Sequence, residues 1–254
     1  MLHGRHAASA VSPALPLRYP SLLMPRSRPP FEITREAILG DGIRARMRAM
    51  DPELTLLTPE EHRASIASLM QQRPDSGDIW LFAYGSLIWN PLIHFVEKRI
   101  ATARGYHRRF CLWSRTGRGT TAKPGLTLGL ERGGCCRGVA YRIGQAQAAH
   151  ELEVVWGLEM LTGAYAPRWL KLETEAGGLH AIAFLINRGH TRYAGRLPED
   201  RVTAVIAEAH GPLGPCATYL FNTVAHLEAL GIRDSRLQRL RDRVAARIEQ
   251  AEGT

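Results

Sequence analysis

Between residues 79 and 188 the chain is mostly a succession of strand-like runs, and beyond residue 200 it is almost continuously helical. This segregation constrains the fold more than any other feature. Strands grouped together and helices grouped after them read as α+β, not as an alternating parallel-sheet architecture. Ile79 to Tyr84 is apolar at every position, the pattern of a strand buried on both faces. Residues 105–115, "GYHRRFCLWSR", form a second predicted strand. "LTLGLER" alternates Leu126, Leu128 and Leu130 with Thr127, Gly129 and Glu131, as a half-buried strand does, and "CRGVAYRI" is a fourth. A helix is predicted from Gln145 to Leu161, then two strands, "RWLKLET" from Arg168 and "HAIAFLINR" from His180. Helices follow over 200–209, over 215–230 closed by Gly231, and over 234–252 capped by Asp234 or Ser235. The expected fold is α+β, with the strands making a curved sheet or small barrel.

Ahead of this region, residues 35–50 are basic and read as helical. "TPEEHRASIASLMQQR" is a cleaner helix: Thr58 caps it, Pro59 suits its first turn, and Glu61 completes a capping box. "PDSGD", residues 74–78, ends it. The expected organisation is a basic arm over 1–33, a helical segment over 34–77 and the main domain over 78–252. Residues 1–31 hold Arg5, Arg18, Arg26 and Arg28 and no acidic residue. This arm reads as a disordered tail or as the product of a start assigned too far upstream, with Met24 as an alternative; a targeting segment is the weaker reading.

The net charge is +9, and four of the positive charges lie in the arm, so the body is only mildly basic. It has no interleaved basic and aromatic residues of the RNA-binding kind, and no nucleic-acid partner is expected. No apolar run approaches the roughly 18–20 residues of a membrane span. Cys111, Cys135, Cys136 and Cys216 form no CxxC pair, and no Cys/His cluster has zinc spacing. No metal site is expected, and a reducing cytoplasm is the default location.

Two features point to chemistry. In "HELEVVWGLEML", Leu152, Val155 and Trp156 lie on one helical stripe that Ala148 extends backwards, and the next position on it is Glu159. A carboxylate centred on an apolar face is either a structural acid paired with an arginine or a general acid and base in a closed pocket. "LTGAY", ending at Tyr165, follows at once with a turn. In "LFAYGSLIWN", the apolar strand stops at Tyr84-Gly85-Ser86-Leu87. Successive free N–H groups in such a turn can cradle a carboxylate or oxyanion, and Gly85 lets a ligand approach the backbone. Most strand-ending Gly-Ser pairs are only turns. No motif places a His/Asp pair beside Ser86, so it is not read as a nucleophile.

Together, "FAYGSLIWNP", "RGTTAKPG", "GVAYRI", "LEMLTGAYAPRWL" and "GPLGPCATYLF" resemble ChaC-type γ-glutamylcyclotransferases over most of residues 50–245, in the bacterial form. Leu126 departs from the pattern, standing where many relatives carry Arg. The resemblance implies a γ-glutamylcyclotransferase-like fold, a small mixed β-barrel flanked by helices. It implies glutathione as substrate, 5-oxoproline and cysteinylglycine as products, and no cofactor. It assigns Glu159 as the catalytic glutamate, Tyr84, Gly85, Ser86 and Leu87 as the loop holding the γ-glutamyl group, and Tyr219 as a tyrosine near the substrate. Tyr165 lines the pocket or packs under the barrel rim. Arg108 and Arg109 meet the glycyl carboxylate or, by preference, are solvated. Alternatives are a cyclotransferase for other γ-glutamyl amines or peptides, a non-catalytic regulatory protein on the same fold, and a basic-surface interaction protein. The oligomeric state is left open.

Overall fold

The computed structural model describes residues 32–253; the arm, apart from its last two residues, lies outside them. Three helices come first: α1 (Arg35–Leu39), α2 (Gly42–Met50) and α3 (Pro59–Gln71). The single helix expected over 35–50 is two, because the chain turns at Gly40-Asp41. Thr58 and Glu61 form the reciprocal capping box at the start of α3.

Five strands close a barrel: β1 (Ile79–Ala83), β2 (Glu97–Ser114), β3 (Gly125–Ile143), β4 (Tyr165–Thr174) and β5 (Gly177–Ile186), in the order β1-β3-β2-β4-β5. β1 closes the ring by pairing in parallel with β5 at Leu81 and Ile182; the β1–β3, β3–β2, β2–β4 and β4–β5 pairings are antiparallel. The two strands expected at 126–131 and 136–143 are one. Gly133 and Gly134, at φ of 104° and 78°, sit opposite Gly105 at 78°. Positive φ costs glycine little, so the β2–β3 ladder shifts register between Arg104 and Tyr106 without breaking. β2 also begins earlier than its apolar stretch suggests.

The helix expected from Gln145 becomes α4 (Ala148–Glu159), entered through a short 3-10 turn. Leu152, Val155 and Trp156 are fully buried on it, and Trp156 meets Phe184 of β5 edge-on at 5.1 Å. α5 (Glu199–Glu208), a tiny ribbon of β6 (His210–Gly211) and β7 (Gly214–Pro215), α6 (Cys216–Ala229) and α7 (Ser235–Glu252) complete the chain. The Asp234 side chain accepts from Leu237 N–H and caps α7. Ile38, Ile43 and Leu69 of the first three helices belong to the same hydrophobic core as the barrel.

Glu131 corrects the half-buried reading of "LTLGLER". It is 2% exposed, held by Arg109, by Arg188 at 3.2 Å and by the Tyr193 hydroxyl at 2.6 Å. The segment after β5 lies over that face of β3. A lone buried carboxylate would be expensive; three donors make it tolerable.

Candidate active site

β1 delivers Tyr84 to the barrel wall, and the chain then leaves the sheet through Gly85 into a single 3-10 turn, Ser86–Ile88. The turn is closed by Ile88 N–H to Gly85 O and Asn90 N–H to Ser86 O. The N–H groups of Gly85, Ser86 and Leu87 donate to no acceptor among the described residues. Three consecutive donors are therefore available to a ligand. Gly85 has φ of −135°, so positive φ is not the reason for glycine here. The reason is Tyr219, whose hydroxyl would lie 2.9 Å from an added Cβ.

A cleft of about 500 Å³ is bounded by α2, the turn after β1, the loop after β2, the end of α4 and α6. A small inner pouch, about 20 Å³, shares Ser86, Glu159, Tyr165 and Tyr219 with it and adds Tyr84, Gly85 and Leu87. All seven residues singled out in the sequence thus converge on one place. A site of this size is in the range that holds a small organic ligand.

Glu159 ends α4 at this junction. It is half-buried and lines both the cleft and the pouch. No hydrogen bond or ion pair reaches its carboxylate among the described residues, and burial alone pushes its pKa up to about 7. Near neutrality it is a mixture of acid and base.

The three tyrosines differ in what they have free. The Tyr84 hydroxyl donates to Phe184 O at 2.6 Å and the Tyr165 hydroxyl to Leu128 O at 2.7 Å. The Tyr219 hydroxyl meets the N–H of the same Leu128 and the Ser86 side chain. Burial and the neighbouring Glu159 raise all three phenols, so they stay neutral donors.

Two arginines correct the sequence reading, which had them solvated or binding substrate. Arg108 is buried, donating to Tyr84 O at 2.8 Å and pairing with Asp234 at 3.2 Å; it buttresses the loop from behind. Arg109 is tied to Glu131. The arginine-paired structural acid considered for Glu159 exists on α4 one stripe over: Glu151, 1% exposed, is gripped by Arg35 at 2.6 and 3.0 Å and by His94 N–H at 2.9 Å.

Sequence reasoning missed Arg118 and Arg192, both half-buried and both lining the cleft. Arg118 stands in the quoted "RGTTAKPG" yet received no role, because nothing local shows that its loop folds back over Tyr219. The contribution of α2 to the cleft was missed as well.

Among solved structures, the fold matches that of a yeast γ-glutamylcyclotransferase specific to glutathione, with a TM-score of 0.62, 22% identity and coverage of 67% of this chain and 97% of that one. The architecture is thus γ-glutamylcyclotransferase-like. Residues 79–247 match the family described as ChaC-like protein. The glutathione-specific γ-glutamylcyclotransferase of Escherichia coli K12 is 39% identical over 209 residues, 82% of this chain and 90% of the relative. γ-Glutamylcyclotransferase 2-3 of Arabidopsis thaliana is 32% identical over 186 residues, 68% and 92% of the two chains. The chain belongs to the ChaC-like family. No helix among the described residues is long and apolar enough to cross a membrane.

Proposed function

We propose that this γ-glutamylcyclotransferase cleaves glutathione by cyclising its γ-glutamyl group, releasing 5-oxoproline and cysteinylglycine, with Glu159 as general acid and base. The observation that carries the reading is an unpaired carboxyl with a pKa of about 7 in the same pouch as three unengaged backbone N–H groups. The names of the relatives support the substrate.

The nucleophile and electrophile are in one molecule, so the main task is to fold the γ-glutamyl group into an attack geometry, which offers up to roughly 7–11 kcal/mol. The Glu159 carboxylate takes a proton from the α-ammonium. The freed amine nitrogen attacks the γ-carbonyl carbon, closing a five-membered ring and moving an electron pair onto oxygen. As that pair returns, the original amide C–N bond breaks and Glu159 gives its proton to the departing nitrogen. The second proton still on the ring nitrogen then leaves through the regenerated Glu159 carboxylate to the same amine, so the products are the neutral lactam and the ammonium of cysteinylglycine. No water is consumed and no covalent enzyme intermediate forms, so Ser86 has no nucleophilic part. Proton transfer of this kind contributes about 10²–10⁴ in rate. The N–H groups of Gly85, Ser86 and Leu87 serve the oxyanion and the α-carboxylate, at about 2.7–4 kcal/mol per oxyanion donor. Tyr84, Tyr165 and Tyr219 shape the pouch around them. Four free thiols support a reducing compartment, the cytoplasm, for the protein.

The test is 5-oxoproline release from glutathione by the purified protein beside Glu159→Gln. Full activity in that variant would remove the assignment.

A further inference from the structure

The ladder between β1 and β3 ends where Ala83 pairs with Val139, and the turn that follows is closed from Gly85 O onward. One peptide, Tyr84–Gly85, lies between the two and belongs to neither. Tyr84 O accepts from no backbone N–H among the described residues, and Gly85 N–H donates to no acceptor. The second residue of this peptide is glycine, which resists a peptide flip less than any other residue. A flipped peptide would turn a carbonyl oxygen to the side where the pouch has an N–H.

Arg108 holds the peptide in one orientation. Its Nη1 donates to Tyr84 O at 2.8 Å. It approaches from the far side: Arg108 lines neither the cleft nor the pouch, whereas Gly85 lines the pouch. The peptide is trans, like the others among the described residues, so its C=O and N–H point in opposite directions. With the oxygen held toward Arg108, Gly85 N–H points away from it, on the pouch side.

The guanidinium is itself immobilised. Its side chain is 2% exposed, with Asp234 Oδ2 at 3.2 Å from Nε and the Cys136 thiol beside it. Asp234 Oδ1 caps α7. The contact of Oδ2 with Nε is an ion pair without hydrogen-bond alignment, so the aligned bond of this cation to oxygen is the one to Tyr84 O. A buried cation there draws electron density toward the carbonyl oxygen and makes the N–H at the other end of the same peptide a stronger donor.

We propose that Arg108 is a positioning residue: it fixes the Tyr84–Gly85 peptide with Gly85 N–H aimed into the pouch, and strengthens that N–H as a donor to the anion held there. Arg108 touches no substrate and acts through the peptide. The anion, an oxyanion or an α-carboxylate, rests on the proposed function; the orientation and polarisation of the peptide do not.

Tyr84–Gly85 is the single Tyr-Gly pair in the chain, so labelling tyrosine with carbonyl ¹³C and glycine with ¹⁵N leaves one peptide visible in an HNCO spectrum. Arg108→Gln should move that signal upfield in the carbonyl carbon and the amide proton. It should also lower kcat/KM for glutathione by about 10², the scale of one lost oxyanion donor. Arg108→Lys, which keeps the charge, should recover part of both. Asp234→Asn keeps the guanidinium and the α7 cap, since Asn caps a helix as well as Asp does, and both readouts should stay near wild type. A signal that does not move in Arg108→Gln overturns the proposal. So does Asp234→Asn matching Arg108→Gln in both readouts, the mark of a merely structural ion pair. Should Arg108→Gln fail to fold, Arg108→Lys decides: a signal displaced in step with activity supports the proposal, and lost activity with the signal at its wild-type position overturns it. The spectrum needs no substrate, so absence of turnover by the wild-type protein beside a signal that moves in Arg108→Gln counts against the reaction alone.

Discussion

The hydroxyl of Tyr219 stands 2.9 Å from the place where Gly85 would carry a side chain. The turn after β1 and the first turns of α6 are thereby locked together, and the pouch lies where they meet. Tyr219 also packs edge-on against Phe110 at 5.8 Å and Trp89 at 6.2 Å, so it has little room to retreat. Gly85→Ala should cost about 1–3 kcal/mol of stability, as overpacking does, and most of the activity. Adding Tyr219→Phe removes the clashing oxygen and should recover part of the stability. Urea melts of the two single variants and the double variant measure the coupling.

Glu159→Gln should lower kcat for glutathione by about 10²–10⁴ with little change in KM, because the amide keeps the shape and loses the proton transfer. Steady-state release of 5-oxoproline decides this. In the wild-type protein the rate should fall on the acid side as pH drops through about 7, where Glu159 protonates and can no longer accept from the ammonium.

The same carboxyl should destabilise the fold at high pH. Its folded pKa is about 7 against an ordinary value of 4.5, so between those values the native state binds more protons than the unfolded chain. Stability is therefore lost as pH rises through this window, by up to about 3 kcal/mol at 1.36 kcal/mol per unit. Thermal melts should show Glu159→Gln equal to wild type at pH 4 and more stable at pH 8. An equal difference at both would contradict the burial.

Glu151 should behave in the opposite sense. Burial pushes its pKa up, but the bonds from Arg35 and His94 outweigh that and hold it below the usual range. Its contribution is present above the ordinary carboxylate pKa and is lost as pH falls through the folded value. Arg35→Met leaves the buried carboxylate short of its main partner and should destabilise by about 3–5 kcal/mol. Denaturant unfolding at neutral pH measures it.

Ser86→Ala should retain glutathione turnover within about tenfold of wild type, since its hydroxyl meets Tyr219 and, on the proposed mechanism, only its backbone N–H is used. Complete loss in a variant that still folds would revive a nucleophilic serine.

The local patterns determined a great deal. Period-two alternation gave Leu126, Leu128 and Leu130 their buried face, the Thr58–Glu61 box fixed the start of α3, and helical spacing alone put Glu159 on the same stripe as Trp156. These readings succeed because each depends on residues a few positions apart. Tertiary structure decided the rest. Whether a given carboxylate on α4 is paired or left open depends on Arg35, more than a hundred residues away from Glu151. Arg108 buttresses a loop and Arg118 faces the cleft because of the strands and turns packed beside them, which no short window contains. Charge and burial are set by neighbours in space; the sequence names the groups, and the closing of the barrel chooses their partners.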